Sequence, residues 1–345
     1  MSFFVSGASG FLGGYVIPEL LKSSEKIFLL VRPQSVSKIS EDLKNHKQIK
    51  IVLGDISAPN VLAEENALEA LSSVTDFIHM AANYNLDGTL AEAYVNNVVG
   101  TQNILDLAAQ LPNLKRFHDI STIAIAGDFK GRFHETMFNV GQKFSNPYAS
   151  TKFRAEGLLG SWKRDDVKRI IYRMGIIVGD TKTGYIPKVD GPYYFFNSLR
   201  DQKRLWHNLT RFGKCPLPYS SEAELPMIPV DTAAEFLGTM ICNPSDVPGK
   251  IRTYHLSGAH TRVEQILERG FEEFSYNCKP IPLPKFLVPK FLLPQLNLPV
   301  SAMDYMYQCV HYDDKHVKTD FPSLKAPTFE EYSDVLFSFI KGQHS

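Results

Sequence analysis

The sequence has few of the features that assign a protein to a specialised class. Its 345 residues include only four cysteines, with no CxxC pair and no Cys/His spacing typical of metal ligands. This pattern predicts free thiols in a reducing, cytoplasmic compartment and argues against a disulfide framework or a zinc site. We therefore predict no metal site. The cysteines are Cys215, Cys242, Cys278 and Cys309.

Net charge and long hydrophobic runs are also lacking. The 37 basic and 37 acidic side chains cancel at neutral pH, so no charge field that would attract nucleic acid is expected. No uninterrupted apolar stretch is long enough to cross a bilayer. Phe3–Val5 is apolar but runs directly into glycines, which favours a first buried strand over a signal peptide. With 44% hydrophobic residues, the chain can bury a large core.

The first half of the chain alternates short apolar runs with helix-like stretches. Such alternation predicts an α/β fold of Rossmann type, a doubly wound parallel sheet with a ligand crevice at the carboxyl ends of its strands. The predicted strands are Phe3–Ser6, Ile27–Val31, Ile49–Leu53, Phe77–Met80, Arg116–Ser121 and Arg169–Met174, and the predicted helices are Phe11–Ser23, Asn66–Ser72, Asp87–Gln110 and Pro147–Lys163.

The regular order ends after Gly179. Residues 180–225 are rich in glycine, proline and aromatic residues, whereas Thr232–Cys242 resembles a helix and Arg252–Ser257 a further strand of the sheet. A second, smaller and mostly C-terminal domain for substrate binding is therefore predicted. The predicted division is residues 1–179 plus 226–257 for the Rossmann domain, and residues 180–225 and 258–345 for the substrate-binding domain.

A glycine-rich turn, residues 7–13, lies between the first predicted strand and the first predicted helix. Gly7 permits the tight turn, Gly10 allows a pyrophosphate to approach, and Gly13 lets helix and strand pack closely. The N–H groups at the helix start then hold phosphate charge. The alternative is a loop in an unrelated α/β protein. Pro18 is expected to kink or end this helix. The predicted cofactor contacts of the turn are Gly7, Ser9, Gly10, Phe11, Leu12 and Gly13.

Further predicted cofactor contacts follow the next strands. An arginine at the end of the second strand, Arg32, suits the 2′-phosphate of NADPH, although it is also compatible with a solvated strand end. Asp55-Ile56 follows the third strand, where Asp55 is placed to meet the adenine amino group or to cap a turn. Small residues in Ala81-Ala82-Asn83 let the backbone pass close to the cofactor. His79, just before them, is interpreted as a packed core histidine.

Three residues predict the reaction centre. Tyr148 and Lys152 are four residues apart, which places them on one face of a helix. A lysine ammonium near a phenol lowers the pKa of the phenol, so Tyr148 is expected to exchange a proton with a substrate oxygen near neutral pH. Thr122, at the end of the fifth strand, supplies a hydroxyl for the same oxygen. The YxxxK spacing alone is common by chance, but its position after the glycine turn favours catalysis.

These motifs resemble the extended short-chain dehydrogenases/reductases, and in particular the thioester-reductase branch that includes fatty acyl-CoA reductases and the reductase domains of carboxylic acid reductases. The resemblance covers about the first two-thirds of the chain and fades beyond Ser257. It rests on Gly7–Gly13, Val31-Arg32-Pro33, Gly54-Asp55-Ile56, Asn97–Thr101, Ile120-Ser121-Thr122, Tyr148–Lys152, Gly179–Gly184, Val189–Phe196 and Pro229-Val230-Asp231.

The resemblance implies a role for each residue of the reaction centre. Tyr148 is implied as the proton donor, and Lys152 as the residue that binds the nicotinamide ribose and tunes Tyr148. Thr122 is preferred over Ser121 because the family's hydroxyl lies five residues before the glycine that is Gly127 here. Two departures are noted. Ser6 replaces the usual threonine, and Arg173-Met174 replaces an Arg-Pro pair, which puts the loop that contacts the nicotinamide amide in doubt.

The sequence thus predicts an NADPH-dependent reductase of an apolar acyl thioester, carried by CoA or an acyl carrier, or of a fatty aldehyde. Alternatives are a sterol or alcohol dehydrogenase, a sugar-nucleotide epimerase or dehydratase, and a non-catalytic protein that senses NADP. The apolar segments Tyr193–Phe196 and Lys279–Val300 are expected to line an acyl channel or to form ordinary core and loop. Substrate chain length and oligomeric state are not predicted.

Residues 279–300 also suggest a membrane contact. Six prolines exclude a long helix there, and apolar side chains alternate with lysines. Such a segment either dips into a membrane surface or forms a lid over the substrate channel. The residues concerned are Phe286, Leu287, Phe291, Leu292, Leu293 and Leu296, with Lys279, Lys285 and Lys290.

Overall fold

Seven parallel strands form the central sheet of the protein, as seen in a computed structural model. The structure describes residues 1–64, 66–85, 88–188, 190–245, 249–288 and 291–343. The strands are β1 Ser2–Ser6, β2 Lys26–Val31, β3 Ile49–Leu53, β4 Asp76–His79, β5 Arg116–Thr122, β6 Gly131–Phe133, β7 Lys168–Met174, β8 Ile176–Val178, β9 Lys214–Leu217, β10 Glu224–Pro229, β11 Ile251–Leu256, β12 Ala259–Arg262, β13 Lys279–Pro282 and β14 Val310–Tyr312.

Helices cover both faces of this sheet and build the C-terminal part. They are α1 Phe11–Leu21, α2 Glu41–Lys44, α3 Ala67–Ala70, α4 Leu90–Tyr94, α5 Gly100–Ala109, α6 Pro147–Ser161, α7 Tyr193–Asp201, α8 Lys203–Thr210, α9 Val230–Cys242, α10 Val263–Glu273, α11 Leu292–Gln295, α12 Lys315–Asp320 and α13 Phe329–Gly342. Each described helix is too short or too polar to cross a bilayer.

The order of the central sheet is β11-β7-β5-β4-β1-β2-β3. The chain runs from β1 outward to β3 and then returns to place β4 on the other side of β1. A doubly wound sheet opens its ligand crevice at such a reversal, beyond the carboxyl ends of the strands. The predicted α/β fold is confirmed, and the glycine turn after β1 lies at this reversal.

The side chains of β1 point alternately to the two faces of the central sheet, and both faces are buried. Phe3 and Val5 pack into the core under α1 and α9, whereas Phe4 packs into the core under α5 on the opposite face. Because both faces of the strand are buried, a continuous apolar run replaces an alternating one.

A second group of strands and helices packs around a core of its own. β8 and β10 pair with each other, and β12 joins β10, in a sheet of order β12-β10-β8. Helices α7, α10 and α13 pack with it around a core that includes Phe196, Trp206, Phe271 and Phe337. β11 returns to the central sheet beside β7. The exact division into two domains stays a prediction.

The four helices predicted for the first half of the chain differ in extent from those of the structure, the last of them only in ending at Ser161 and not at Lys163. The first continues three residues past Pro18 and ends at Leu21. The predicted helix 66–72 contracts to Ala67–Ala70. The predicted helix 87–110 begins at Leu90, because Thr89 forms a capping box with Glu92, and its first predicted residue, Asp87, lies outside the described residues. A π-helical turn, Val95–Val99, then joins α4 to α5.

Candidate active site

The glycine turn is shaped by close backbone contacts. Gly7 has φ +84°, and a Cβ atom there would lie 2.6 Å from the backbone nitrogen of Ala81. A Cβ atom on Gly13 would collide with the carbonyl oxygen of Gly7. Both positions therefore require glycine, and the turn brings the end of β1 against the start of α1 and the segment after β4.

This turn fits the pyrophosphate of a nicotinamide dinucleotide. α1 begins after Gly10, and no described side chain caps its first N–H groups. These groups are available to an anion at a helix N-terminus. The turn forms one wall of a cavity of about 500 Å³ through Gly7, Gly10, Phe11, Leu12 and Gly13.

The same cavity receives two of the three predicted catalytic residues. Thr122 ends β5, and Tyr148 lies in the first turn of α6, where the N-cap Asn146 accepts a hydrogen bond from the backbone of Ala149 at 2.9 Å. Lys152 lies one turn further along α6 and is buried. Its Nζ donates to the carbonyl oxygen of Ile120 at 2.9 Å. Helix α6 and the carboxyl end of β5 thus bring the predicted residues together.

Burial determines the protonation of Tyr148. Removal from water raises the pKa of this phenol well above its usual value, and interaction with Thr122 only partly opposes this shift. In this structure the ammonium of Lys152 donates to the carbonyl oxygen of Ile120, and its predicted lowering of the pKa of Tyr148 stays a prediction. Tyr148 is a neutral phenol at physiological pH and holds a proton to donate.

The two candidate hydroxyls at the end of β5 differ in their partners. Ser121 donates to Glu156 at 2.6 Å, and Glu156 forms a buried ion pair with Arg173 at 2.7 Å. Ser121 is thereby committed to a buried network, whereas Thr122 accepts only a local bond from Ala124 and interacts with Tyr148. This difference favours Thr122 as the hydroxyl that meets a substrate.

A buried carboxyl lies beneath the reaction centre. Asp119 is 1% exposed, and neither of its oxygens has a hydrogen-bond partner in the described part of the chain. Burial raises the pKa of Asp119, while the ammonium of Lys152 lowers it. Asp119 is therefore an electrostatic neighbour of Lys152 that the sequence did not single out.

The remaining predicted cofactor residues extend away from the reaction centre. Ala82 lines the cavity, whereas Arg32 is exposed at the end of β2. The Oδ1 atom of Asp55 accepts from the backbone and hydroxyl of Ser57 at 2.9 and 2.8 Å, which is the turn-capping role considered as its alternative. Ile56 packs beside Gly100. The predicted contacts that lie outside the described cavity wall are Ser9, Arg32, Asp55, Ile56, Ala81, Asn83 and Lys152.

His79 behaves as predicted. It is buried, its Nδ1 lies 2.7 Å from the hydroxyl of Ser6, and its Nε2 lies 3.1 Å from that of Thr101. Burial lowers the pKa of His79 to about 3, so the ring is neutral. Ser6, the departure from the family pattern, thus serves to hold His79 beneath the glycine turn.

Two residues near Tyr148 were not among the site residues predicted from the sequence. The ring of Tyr84 stands edge-on to that of Tyr148, with centroids 4.7 Å apart. Asn97 accepts from the backbone N–H of Asn83 at 2.7 Å and donates to Thr151 at 3.0 Å, which ties the segment after β4 to α6. Asn97 occurs in a matching segment, so a signal existed, whereas nothing in the sequence around Tyr84 indicated its contact.

The far wall of the cavity is apolar. Of the aromatic run Tyr193–Phe196, predicted to line an acyl channel or to form core, Tyr194 and Phe195 line the cavity, whereas Tyr193 and Phe196 lie in the core. Val189, the first residue of the longer segment that resembles the family, lies outside the described residues. Met174, which replaces the usual proline, also faces the cavity. In the described part of the predicted segment 279–300, the residues that line the cavity begin at Leu293. Other apolar wall residues are Ile186, Leu217, Leu225, Val263, Ile266, Leu267, Leu298, Met303 and Met306.

One sequence relative is named as a synthase and another as a reductase. The chain is 26% identical over 250 residues to a linear gramicidin synthase from Brevibacillus parabrevis, an alignment that covers 67% of this chain and 5% of that protein. It is 32% identical over 142 residues to fatty acyl-CoA reductase 2 of Mus musculus, covering 35% of this chain and 28% of that protein. The chain thus spans less than a third of either relative.

The fold agrees with that of a solved domain. The terminal R domain from the myxalamid PKS-NRPS biosynthetic pathway superposes with a TM-score of 0.75 at 20% identity, covering 99% of this chain and 91% of that one. The profile of an NAD-binding family described as "Male sterility protein" matches residues 5–237, more than half of the chain. The chain therefore belongs to this NAD-binding family, in the thioester-reductase and fatty acyl-CoA reductase branch of the extended short-chain dehydrogenases/reductases.

Proposed function

We propose that the protein is an NADPH-dependent reductase of an apolar acyl thioester or of the corresponding fatty aldehyde. The observation that carries this proposal is the continuity of one cavity. The cavity runs from the glycine turn, past Thr122 and Tyr148, to a wall of aliphatic and thioether side chains such as Leu267 and Met306. A long apolar chain gains free energy from such a wall, at roughly 25 cal/mol per Å² of apolar surface removed from water.

The side chains at the reaction centre support carbonyl reduction. The glycine turn would hold NADPH, which would supply a hydride to the carbonyl carbon. Thr122 and Tyr148 donate hydrogen bonds to the carbonyl oxygen, and Tyr148, a neutral phenol, transfers its proton to that oxygen as negative charge develops. With a thioester, the resulting hemithioacetal loses its thiol as the C–S bond breaks, which leaves the aldehyde. Lys152, one helix turn further along α6, would stabilise the phenolate that remains.

The preference for NADPH rests on Arg32. Its guanidinium is exposed at the carboxyl end of β2, next to the strand that carries the glycine turn. A dinucleotide whose pyrophosphate lies on this turn directs its adenosine ribose toward that strand end. An arginine there suits a 2′-phosphate, which accepts two parallel hydrogen bonds from the guanidinium fork.

The alternatives differ in what they require of the cavity. A sugar-nucleotide epimerase needs polar groups for sugar hydroxyls, whereas the far wall here is made of residues such as Ile266, Leu267 and Leu298. A non-catalytic sensor of NADP needs no proton donor in contact with a second hydroxyl, yet Tyr148 interacts with Thr122. Both observations favour the reductase.

A purified-enzyme assay tests the proposal. Oxidation of NADPH is followed with acyl-CoAs of several chain lengths, fatty aldehydes, a sterol and a sugar nucleotide. We expect turnover with the first two classes, and its loss in Tyr148→Phe while NADPH still binds. Tyr276→Phe is the control, because it removes a tyrosine hydroxyl that donates to the carbonyl of Leu199, outside the cavity wall. Turnover confined to the sterol or sugar nucleotide, or unchanged in Tyr148→Phe, contradicts the proposal.

We further propose that a phospholipid surface delivers the apolar substrate. Phe286, Leu287 and Phe291 are 85%, 56% and 73% exposed, which is unusual for a cluster of large apolar side chains. Leu293 and Leu298, a few residues further on, line the cavity. Lys279 is exposed on the same segment, and its positive charge would attract anionic lipid headgroups. The second exposed lysine, Lys285, pairs with Asp304, and Lys290 lies outside the described residues.

Flotation with vesicles distinguishes this contact from a lid. We expect the protein to float with vesicles of mixed neutral and anionic phospholipids, and Phe286→Ser with Phe291→Ser to abolish flotation. Phe212→Ser is the matched control, because Phe212 is 76% exposed elsewhere, between α8 and β9. Failure of the unaltered protein to float, or equal flotation of the double variant, overturns the membrane contact and leaves the lid.

A further inference from the structure

Three side chains with metal-binding atoms meet on the outer side of the cavity wall. Glu224 begins β10, His260 lies in β12 and His311 lies in β14. The Nδ1 atoms of His260 and His311 lie 3.1 and 3.4 Å from Oε2 of Glu224. All three ligand atoms lie within 4.8 Å of one another. The cluster is separate from the residues of the reaction centre.

These distances match the ligand spacing around a small divalent ion. Zinc binds histidine nitrogen and carboxylate oxygen at about 2.0–2.2 Å, so neighbouring ligands of a tetrahedral site lie roughly 3.3 Å apart. Both distances from Glu224 are already of this size. The histidine rings, with centroids 4.7 Å apart, are close enough for a small rotation of His311 to complete the triangle. Half-exposed His311 leaves water access for a fourth ligand.

A second observation concerns the orientation of His260. Its Nε2 lies 3.2 Å from the hydroxyl of Ser257, on the side of the ring away from Glu224. Metal-binding histidines hold their second ring nitrogen in this way, which fixes the tautomer and aims the free nitrogen at the ion. Ser257 is buried, so the orientation is set by the fold and not by solvent.

We propose that Glu224, His260 and His311 bind one divalent transition-metal ion, for which zinc is the best match. The ion would join strands that are far apart in sequence. Because neighbouring residues of a strand face opposite sides, the cluster lies behind Leu225 and Tyr312, both of which line the cavity. The ion therefore fastens β14 to the sheet formed by β10 and β12. It stiffens the cavity wall there but takes no part in the reaction.

Metal titration of chelator-treated, tag-free protein tests the site. We expect zinc to bind with one-to-one stoichiometry in calorimetry and to raise the melting temperature. His311→Gln should lose both effects. His134→Gln is the matched control, because His134 is equally exposed and bonds a single carboxylate, Asp313, at 2.9 Å, without a third ligand.

The outcomes separate a metal site from an ordinary ion pair. Saturable binding by the unaltered protein and by His134→Gln, but not by His311→Gln, supports the proposal. A reduced Michaelis constant for the apolar substrate on zinc addition, with unchanged kcat, would further support the clamp. Absence of saturable binding, or equal zinc affinity in His311→Gln, overturns the site and leaves Glu224 as an ion-pair partner of the two histidines.

Discussion

The ring of Tyr84 stands at 86° to the ring of Tyr148, with centroids 4.7 Å apart. Tyr84 comes from the segment after β4, and Tyr148 from the first turn of α6. Asn97 holds these two parts together through Asn83 and Thr151. The rotamer of the proposed proton donor is therefore supported by a residue that lies 64 positions earlier in the chain.

Loss of the Tyr84 ring should impair the reaction more than loss of its hydroxyl. An edge-to-face pair contributes about 0.5–1.5 kcal/mol beyond burial, which corresponds to as much as about tenfold in kcat/KM if the contact orients Tyr148. We expect Tyr84→Phe to retain activity within about twofold, and Tyr84→Ala to lose up to about tenfold. Steady-state kinetics with the best acyl-CoA measure both. Equal activity of the two variants would show that the ring contact has no orienting role.

Two glycines of the turn region should respond oppositely to alanine. At Gly7 the positive φ alone costs a side chain about 1–2 kcal/mol, and the added Cβ also meets the backbone of Met80 and Ala81. Gly7→Ala should therefore lower the melting temperature and abolish NADPH binding. At Gly14, inside α1, an added Cβ meets nothing within 4 Å, so alanine should stabilise the fold by up to about 1 kcal/mol. Thermal denaturation and cofactor fluorescence check both, and a tolerated Gly7→Ala would refute the steric argument.

Replacement of Arg32 should change the cofactor preference without changing the chemistry. Hydrogen bonds to a charged group contribute about 1.5–3 kcal/mol, so Arg32→Ala should reduce kcat/KM for NADPH by roughly 10- to 100-fold. The rate with NADH, which lacks the 2′-phosphate, should stay nearly constant and serves as the internal control. An equal loss with both cofactors would assign Arg32 a role in folding.

Acid should destabilise the protein through its buried histidines. Burial lowers the pKa of His79 and of His255 to about 3, whereas an unfolded histidine titrates near its usual value of about 6.5. Below pH 6.5 each of these two histidines takes up a proton in the unfolded chain, whereas in the folded chain it stays neutral until about pH 3. Each histidine therefore contributes stability that is complete above pH 6.5 and is lost as the pH falls, by about 2 kcal/mol at pH 5.

Urea unfolding at pH 7 and pH 5 measures this effect. His79→Gln removes the titrating group, so its loss of unfolding free energy between the two pH values should be smaller than that of the unaltered protein by about 2 kcal/mol. His207→Gln replaces an exposed histidine and should behave like the unaltered protein. Identical pH dependence in all three proteins would refute the assignment to His79.

The sequence predicted what depends on local pattern. Apolar runs such as Phe3–Ser6 identified the strands because both faces of the sheet are buried, and the spacing of Tyr148 and Lys152 placed them on one face of α6. It could not show what depends on distant neighbours. Burial by the surrounding elements raises the pKa of Tyr148, and the ammonium of Lys152 donates to the carbonyl oxygen of Ile120 in β5.

Sites assembled across the chain were also beyond prediction. The cluster of Glu224, His260 and His311 draws one residue from each of three strands, and no spacing in the sequence relates them. Tyr84 meets Tyr148 only because the segment after β4 crosses toward α6. Helix ends were limited by single contacts of the same kind, as when the Thr89 capping box moved the start of α4.

The position of β11 also has a consequence for synthesis of the protein on the ribosome. Among the described strands, β11 lies at the edge of the central sheet and pairs with β7, yet about eighty residues separate the two in sequence. A nascent chain that has emerged as far as β7 thus carries a six-stranded sheet whose β7 edge has unpaired backbone groups. That edge can pair with other chains until Leu256 has left the exit tunnel and β11 can pair with β7. We expect the need for a chaperone to be greatest during this interval.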